Sequence, residues 1–105
     1  EMHHYEPLFK DMRQDKQLLN LFKDVMTEFG ESPRILPDDE ADGSTDVGNV
    51  SYEVPTAQPT LQIGLGLEAH TPEFTCAAGS DYGLDQAIKG AKIMAVVALR
   101  YAMCK

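Results

Sequence analysis

Two stretches of the chain repeat apolar residues at helical spacing, and a shorter one between them alternates apolar and polar residues as a strand does. In residues 15–29, Leu18, Phe22, Val25 and Phe29 fall at i, i+4, i+7 and i+11, and Leu19 and Met26 widen the stripe. Lys16, Lys23, Asp24 and Glu28 lie off it and face water. Asp11 or Asp15 can cap the start, and Gly30 supplies a left-handed stop. The spacing therefore predicts an amphipathic helix that packs on one side.

Residues 81–103 predict a second, longer helix with Ser80 or Asp81 as N-cap. Leu84, Ile88, Ala91, Ala95, Ala98 and Ala102 form an alanine-rich stripe suited to close packing on a sheet. Ile93, Met94, Val96, Val97 and Leu99 make the second half apolar almost all round, which predicts a largely buried helix. Residues 60–67 predict a strand, with Leu61, Ile63, Leu65 and Leu67 on one face and Gln62, Gly64 and Gly66 on the other. Glycines on that second face would let a helix or a ligand come close. Gly64 and Gly66 make no dinucleotide fingerprint, since the third glycine and its helix are missing.

The segments between are turns and loops. Pro33, Pro37 and the run Asp38-Asp39-Glu40 make residues 32–41 a solvated loop; the run lacks the ligand spacing of a calcium-binding loop. Gly43-Ser44-Thr45-Asp46-Val47-Gly48 combines flexible glycines with helix-capping residue types. A short helix over 46–51 competes there with a strand in which Val50, Tyr52 and Val54 alternate with Ser51 and Glu53. Pro55 and Pro59 bracket a further turn. Pro72 holds Thr71 extended, so His70 sits on a stiff loop after the 60–67 segment.

At 105 residues the chain is one domain at most. The net charge of −8 argues against nucleic acid and anionic membrane as partners, which both need Lys/Arg clusters. No apolar run reaches the roughly 20 residues of a membrane span. The first residues, Glu1-Met2-His3-His4-Tyr5, lack a secretory leader pattern, and a start at Glu1 is read as a piece of a longer chain. Cys76 and Cys104 form no Cys-x-x-Cys pair and are expected to be free thiols in a reducing cytoplasm. His3 and His4 point to opposite faces of an extended segment, so they do not readily share a metal. On residue pattern alone His70 is an ordinary loop histidine.

The order Gly43-Ser44-Thr45-Asp46, then a Pro-Thr strand, then His70-Thr71-Pro72-Glu73-Phe74 before a long alanine-rich helix resembles one metallohydrolase group. It is the zinc-dependent aminoacylase and carboxypeptidase superfamily, in its amidohydrolase branch with p-aminobenzoyl-glutamate hydrolase. The resemblance covers about residues 12–103. It implies an α/β fold, the C-terminal portion of an α/β sandwich catalytic domain (helix, loop, short helix, strand, long helix) that is incomplete on its own. Residues 1–11 would end an inserted dimerisation domain or form its hinge, and 12–105 would belong to the catalytic domain.

The same resemblance implies hydrolysis of an amide bond in an N-acyl amino acid or dipeptide by a metal-activated water. It makes His70 the last metal ligand of a site holding two divalent ions, typically zinc. It places Gly43, Ser44 and Thr45 on a substrate-facing turn that can hold a carboxylate, with Asp46 capping or bracing that turn. It also implies a homodimer formed through the inserted domain. The superfamily's His-x-Asp pair, bridging aspartate, Glu-Glu pair and remaining ligand have no counterpart here. The chain alone is therefore expected to be inactive and metal-free. The competing expectation is a non-catalytic assembly module of the same fold; a stand-alone acidic binding domain fits poorly with an uncovered apolar helix.

Overall fold

The computed structural model describes residues 3, 7–37 and 43–104. His4 and the acidic run Asp38-Asp39-Glu40 lie outside the described residues, as does most of 1–6. Four helices make up the regular structure: α1 (Lys16–Glu28), α2 (Val47–Val50), α3 (Pro72–Ala78) and α4 (Asp81–Met103).

Each long helix begins where its capping chemistry places it. Asp15 is extended, and its carboxylate accepts from the Leu18 amide at 2.8 Å, satisfying an N–H the first turn leaves free. Ser80 does the same for α4, accepting from the Gly83 amide at 3.0 Å. α1 ends at Gly30, which takes the left-handed conformation at φ 82.

α1 and α4 pack together, and their contact is the core. Val25 is fully buried, and Met26, Ile93 and Val97 complete the cluster. Leu18, Leu21, Phe22, Phe29, Leu61 and Val96 cover it in part. Two ion pairs tie the same elements at the rim. Arg100 makes a fork-to-fork pair with Glu28, at 2.7 and 2.8 Å, and Lys89 donates to Glu31. Hydrogen bonds from these cations hold both glutamate carboxyls below their usual range.

The buried face of α4 is not the expected one. Gly83, Gln86, Ile93 and Val97 turn inward, while the Leu84–Ile88–Ala91–Ala95–Ala98–Ala102 stripe faces outward. Ile88 is 56% exposed and Leu99 66%, so the helix is not the largely buried element its composition predicts. The branched side chains of Ile93 and Val97 fill the groove beside α1 better than alanines can, and one partner helix covers one face only. The Cα radius of gyration is 15.8 Å, against about 13 Å for a compact domain of 100 residues. The chain is thus loosely filled around a small core.

The expected α/β architecture is also corrected, because the described residues contain helices and no strand. Over 60–67 the chain has no ladder partner, and a strand exists only where a neighbour takes up its N–H and C=O groups. The Gln62 carbonyl instead accepts from the Gln86 amide side chain at 2.9 Å. Residues 63–66 bend, and Gly66 enters left-handed space at φ 63, which ends any extended run. The alternating residues consequently part company: Leu61 packs on the core, whereas Leu65 is 87% exposed.

The choice of face on α4 is testable by thermal or denaturant unfolding. Ile93→Ala should destabilise the chain by about 2–5 kcal/mol, and Ile88→Ala by less than about 0.5 kcal/mol. Equal losses at the two positions would contradict the packing. The rim pairs carry a pH signature as well. Their glutamates have lowered folded-state pKa values, so their contribution is present above the ordinary glutamate range and fades as pH falls through the folded values. The stability difference between the parent and the Glu28→Gln/Glu31→Gln double variant should therefore shrink on acidification below about pH 4.5. It should also shrink in 1 M salt, where the Debye length is about 3 Å.

Candidate functional site

The Gly43-Ser44-Thr45 turn opens α2. Gly43 is left-handed at φ 95, Ser44 is exposed, and the Thr45 hydroxyl accepts from the Val47 amide at 3.3 Å. The capping role expected of Asp46 falls to Thr45, since the Asp46 side chain makes no cap bond. The open choice at 46–51 resolves as helix. The turn presents small groups and an exposed serine hydroxyl ahead of α2, whose own first amides, those of Val47, Gly48 and Asn49, already donate to Thr45 and Asp46.

α2 touches no other helix and is held instead by a strap of chain running from Leu8 to Asp15. Asn49 grips this strap with both halves of its amide. Its oxygen accepts from the Lys10 N–H at 2.7 Å, and its nitrogen donates to the Leu8 carbonyl at 3.2 Å. Ser51 accepts from the Arg13 N–H at 2.9 Å and donates to the Gly48 carbonyl at 2.6 Å. Further on, the Asp15 N–H donates to Thr56 at 2.8 Å, and the Gln58 N–H donates to Gln14 at 3.2 Å. The two segments run parallel, joined mainly through side chains. Gly48 makes the approach possible, since a Cβ there would lie 2.1 Å from the Lys10 carbonyl oxygen.

Tyr52 closes the strap from outside. Its hydroxyl donates to Asp11, which lowers the Asp11 pKa and raises that of the tyrosine. The Arg13 guanidinium lies 3.8 Å and the Lys10 ammonium 4.6 Å from the ring centroid, both within cation–π range. Each of the neutral hydrogen bonds that Asn49 and Ser51 make to the strap is of a kind worth about 0.5–1.5 kcal/mol net. The strap is held by their sum, not by one of them. Sequence reasoning missed Asn49, Ser51 and Tyr52, because nothing local pairs them with residues some forty positions away.

His70 sits elsewhere, in the turn before α3. It is exposed and left-handed at φ 65, unlike any other described residue that is not glycine. Thr71 explains the turn. It is extended as Pro72 requires, accepts from the Phe74 N–H at 3.2 Å, and donates to the Glu68 carbonyl at 2.7 Å. Threonine as N-cap, proline at the first position and Glu73 in the first turn are a helix start that the sequence reading treated only as a stiff loop. α3 in turn docks on α4.

The four site residues thus ride on two supports. Gly43, Ser44 and Thr45 sit on the strapped α2 unit, and His70 leads into α3. No hydrogen bond or ion pair joins them among the described residues. Nor does any group of three His, Cys, Asp or Glu there form a metal-binding cluster. At the candidate site the described residues therefore offer a metal the exposed imidazole of His70 and not a ligand set. An apolar groove of about 520 Å³ between the 57–63 segment and α4 is lined by Phe22, Met26, Leu61, Ile93 and Met94, with Gln86. It includes none of the four candidate residues. Cys76 and Cys104 are exposed and free.

The chain is 44% identical over 57 residues to the Xaa-Arg dipeptidases of Homo sapiens and Mus musculus. The match takes in 54% of this chain and 13% of each relative, so the chain spans only a small part of the length of the curated proteins it resembles. No known protein-family profile matches. No solved structure matches either.

The backbone at His70 yields a stability prediction. Glycine adopts φ 65 freely, whereas a β-branched residue there is a steric outlier. By denaturant unfolding, His70→Val should be less stable than the parent by about 1–2 kcal/mol, and His70→Gly should match the parent within about 1 kcal/mol. If valine were tolerated as well as glycine, the left-handed turn would be refuted.

Proposed function

We propose that this chain is a segment of a metal-dependent amidohydrolase or peptidase acting on a dipeptide or N-acyl amino acid. The observation that carries the reading is the 44% identity to the two dipeptidases. In this proposal the Gly43-Ser44-Thr45 turn receives the substrate's carboxylate through its own backbone amides and the Ser44 hydroxyl. His70 contributes one imidazole to a site of two divalent ions, zinc by the resemblance, whose other ligands come from elsewhere in a longer protein. Its exposed ring and left-handed backbone support that role, because strain of this kind gathers at functional turns. With a single candidate ligand assigned to the site, no reaction step is given to the described residues, and the chain by itself is expected to be inactive.

The outward stripe of α4 supports the same proposal. Leu84, Ile88 and Leu99 are each more than half exposed on one face of a helix whose other face is already packed. In the longer protein that face is where the remaining catalytic elements pack. A homodimer formed through a separate inserted domain and a cytoplasmic location complete the proposal.

The test is His70→Ala in the longer protein, assayed for bound metal and for hydrolysis of dipeptides, Xaa-Arg among them. Loss of one metal equivalent together with a fall in turnover of at least 100-fold is the expected result for a removed ligand. Full metal content with unchanged turnover would make His70 an ordinary turn residue. Wild-type protein that folds but hydrolyses no dipeptide would favour an assembly module instead.

A further inference from the structure

We propose that Asn49, seconded by Ser51, is a positioning residue: by clamping the Leu8–Arg13 strap it fixes where the Gly43–Thr45 turn stands. The inference rests on the reading above only in taking that turn to meet substrate. α2 is a single turn of helix with no other helix against it, so its own hydrogen bonds cannot hold its position. What holds it is the strap, which continues through Asp15, the N-cap of α1, into the core helix. The path is short and continuous. α1 is anchored by Val25, the strap leads back from its cap, and Asn49 and Ser51 fasten α2 to the strap.

The chemistry singles out asparagine. Its amide offers one acceptor and one donor side by side, matching the N–H of Lys10 and the carbonyl of Leu8 on one stretch of backbone. Aspartate keeps the acceptor and loses the donor; alanine loses both. Gly48 beside it lets the two backbones meet, and the Ser51 hydroxyl ties the strap to the Gly48 carbonyl. Displacing the strap therefore displaces the turn four to six residues upstream of Asn49.

The experiment has two arms. In the 105-residue chain, amide exchange and chemical shifts are followed by NMR for wild type, Asn49→Ala and Asn49→Asp. Asn49→Ala should speed exchange of the Lys10 amide by about tenfold, the fold-change matching about one net hydrogen bond, and should move the Ser44 and Thr45 amide signals. The Val25 and Ile93 methyl signals should stay in place. Asn49→Asp should retain most of the Lys10 protection and shift the turn less. In the longer protein, Asn49→Ala should raise KM for a dipeptide by about tenfold while kcat changes by less than about threefold, the pattern of a lost binding geometry.

An unchanged Lys10 exchange rate, or unmoved Ser44 and Thr45 signals, would overturn the proposal. If Asn49→Ala fails to fold, Ser51→Ala is read for the same turn signals with the same two outcomes. A longer wild-type protein with no dipeptidase activity would sink the functional reading alone, leaving the NMR arm to decide the positioning role.

Discussion

A helix can be covered by one neighbour on one face only, and that constraint governs this molecule. α4 carries two apolar faces on opposite sides, and the chain supplies a partner for one. Ile93 and Val97 win α1, because their branched side chains interlock with Val25 and Met26 where alanines would leave voids. The outward face follows from that choice, as does the loose overall shape. The 60–67 segment meets the same constraint in another form. An extended run needs a neighbour for its backbone, and here it finds one side chain, Gln86.

The candidate site depends on this core indirectly. His70 reaches it through α3, which docks on α4, whereas the Gly43–Thr45 turn reaches it through the strap and α1. The two candidate segments are therefore tied to the core by routes of unlike stiffness. The α3 route is backbone packed on backbone, with Gly83 admitting the end of α3 so closely that a Cβ would lie 2.2 Å from the Ala77 carbonyl oxygen. The strap route is a row of exposed side-chain bonds, each weak and each open to competition from water. Local opening should accordingly favour the α2 side over the His70 side. The Gly43–Thr45 turn is the adjustable half of the arrangement.

What the sequence discloses is mostly local. The 15–29 and 81–103 helices, the Asp15 and Ser80 caps and the Gly30 stop are written in short-range spacing and capping chemistry, and the structure has them within a residue or so. The face of α4 was not legible, because periodicity reports that a stripe is apolar and not which of two apolar stripes finds a partner. The expected strand failed for a related reason: alternation states a willingness to pair, and pairing is a property of two segments. α3 could have been read from Thr71-Pro72-Glu73, a helix start in plain form. The strap was beyond reach, since Asn49 and Lys10 carry no mark of one another.

The proposed function inherits these limits in an instructive way. A metal ligand must be supplied in a set, and a set is a long-range object like a sheet or a packed face. This chain shows the local half of each: a histidine in a left-handed turn, an open helix face, and an alternating apolar segment without a ladder. On the proposed function, one further body of protein placed against α4 and the 57–67 segment would answer all three. A stand-alone binding domain would require three separate accidents, whereas a longer enzyme accounts for them together. The similarity to dipeptidases of much greater length points the same way without drawing on any of the three. On the proposed function the left-handed His70 turn has a role that an assembly module, which accounts for the open face alone, does not give it.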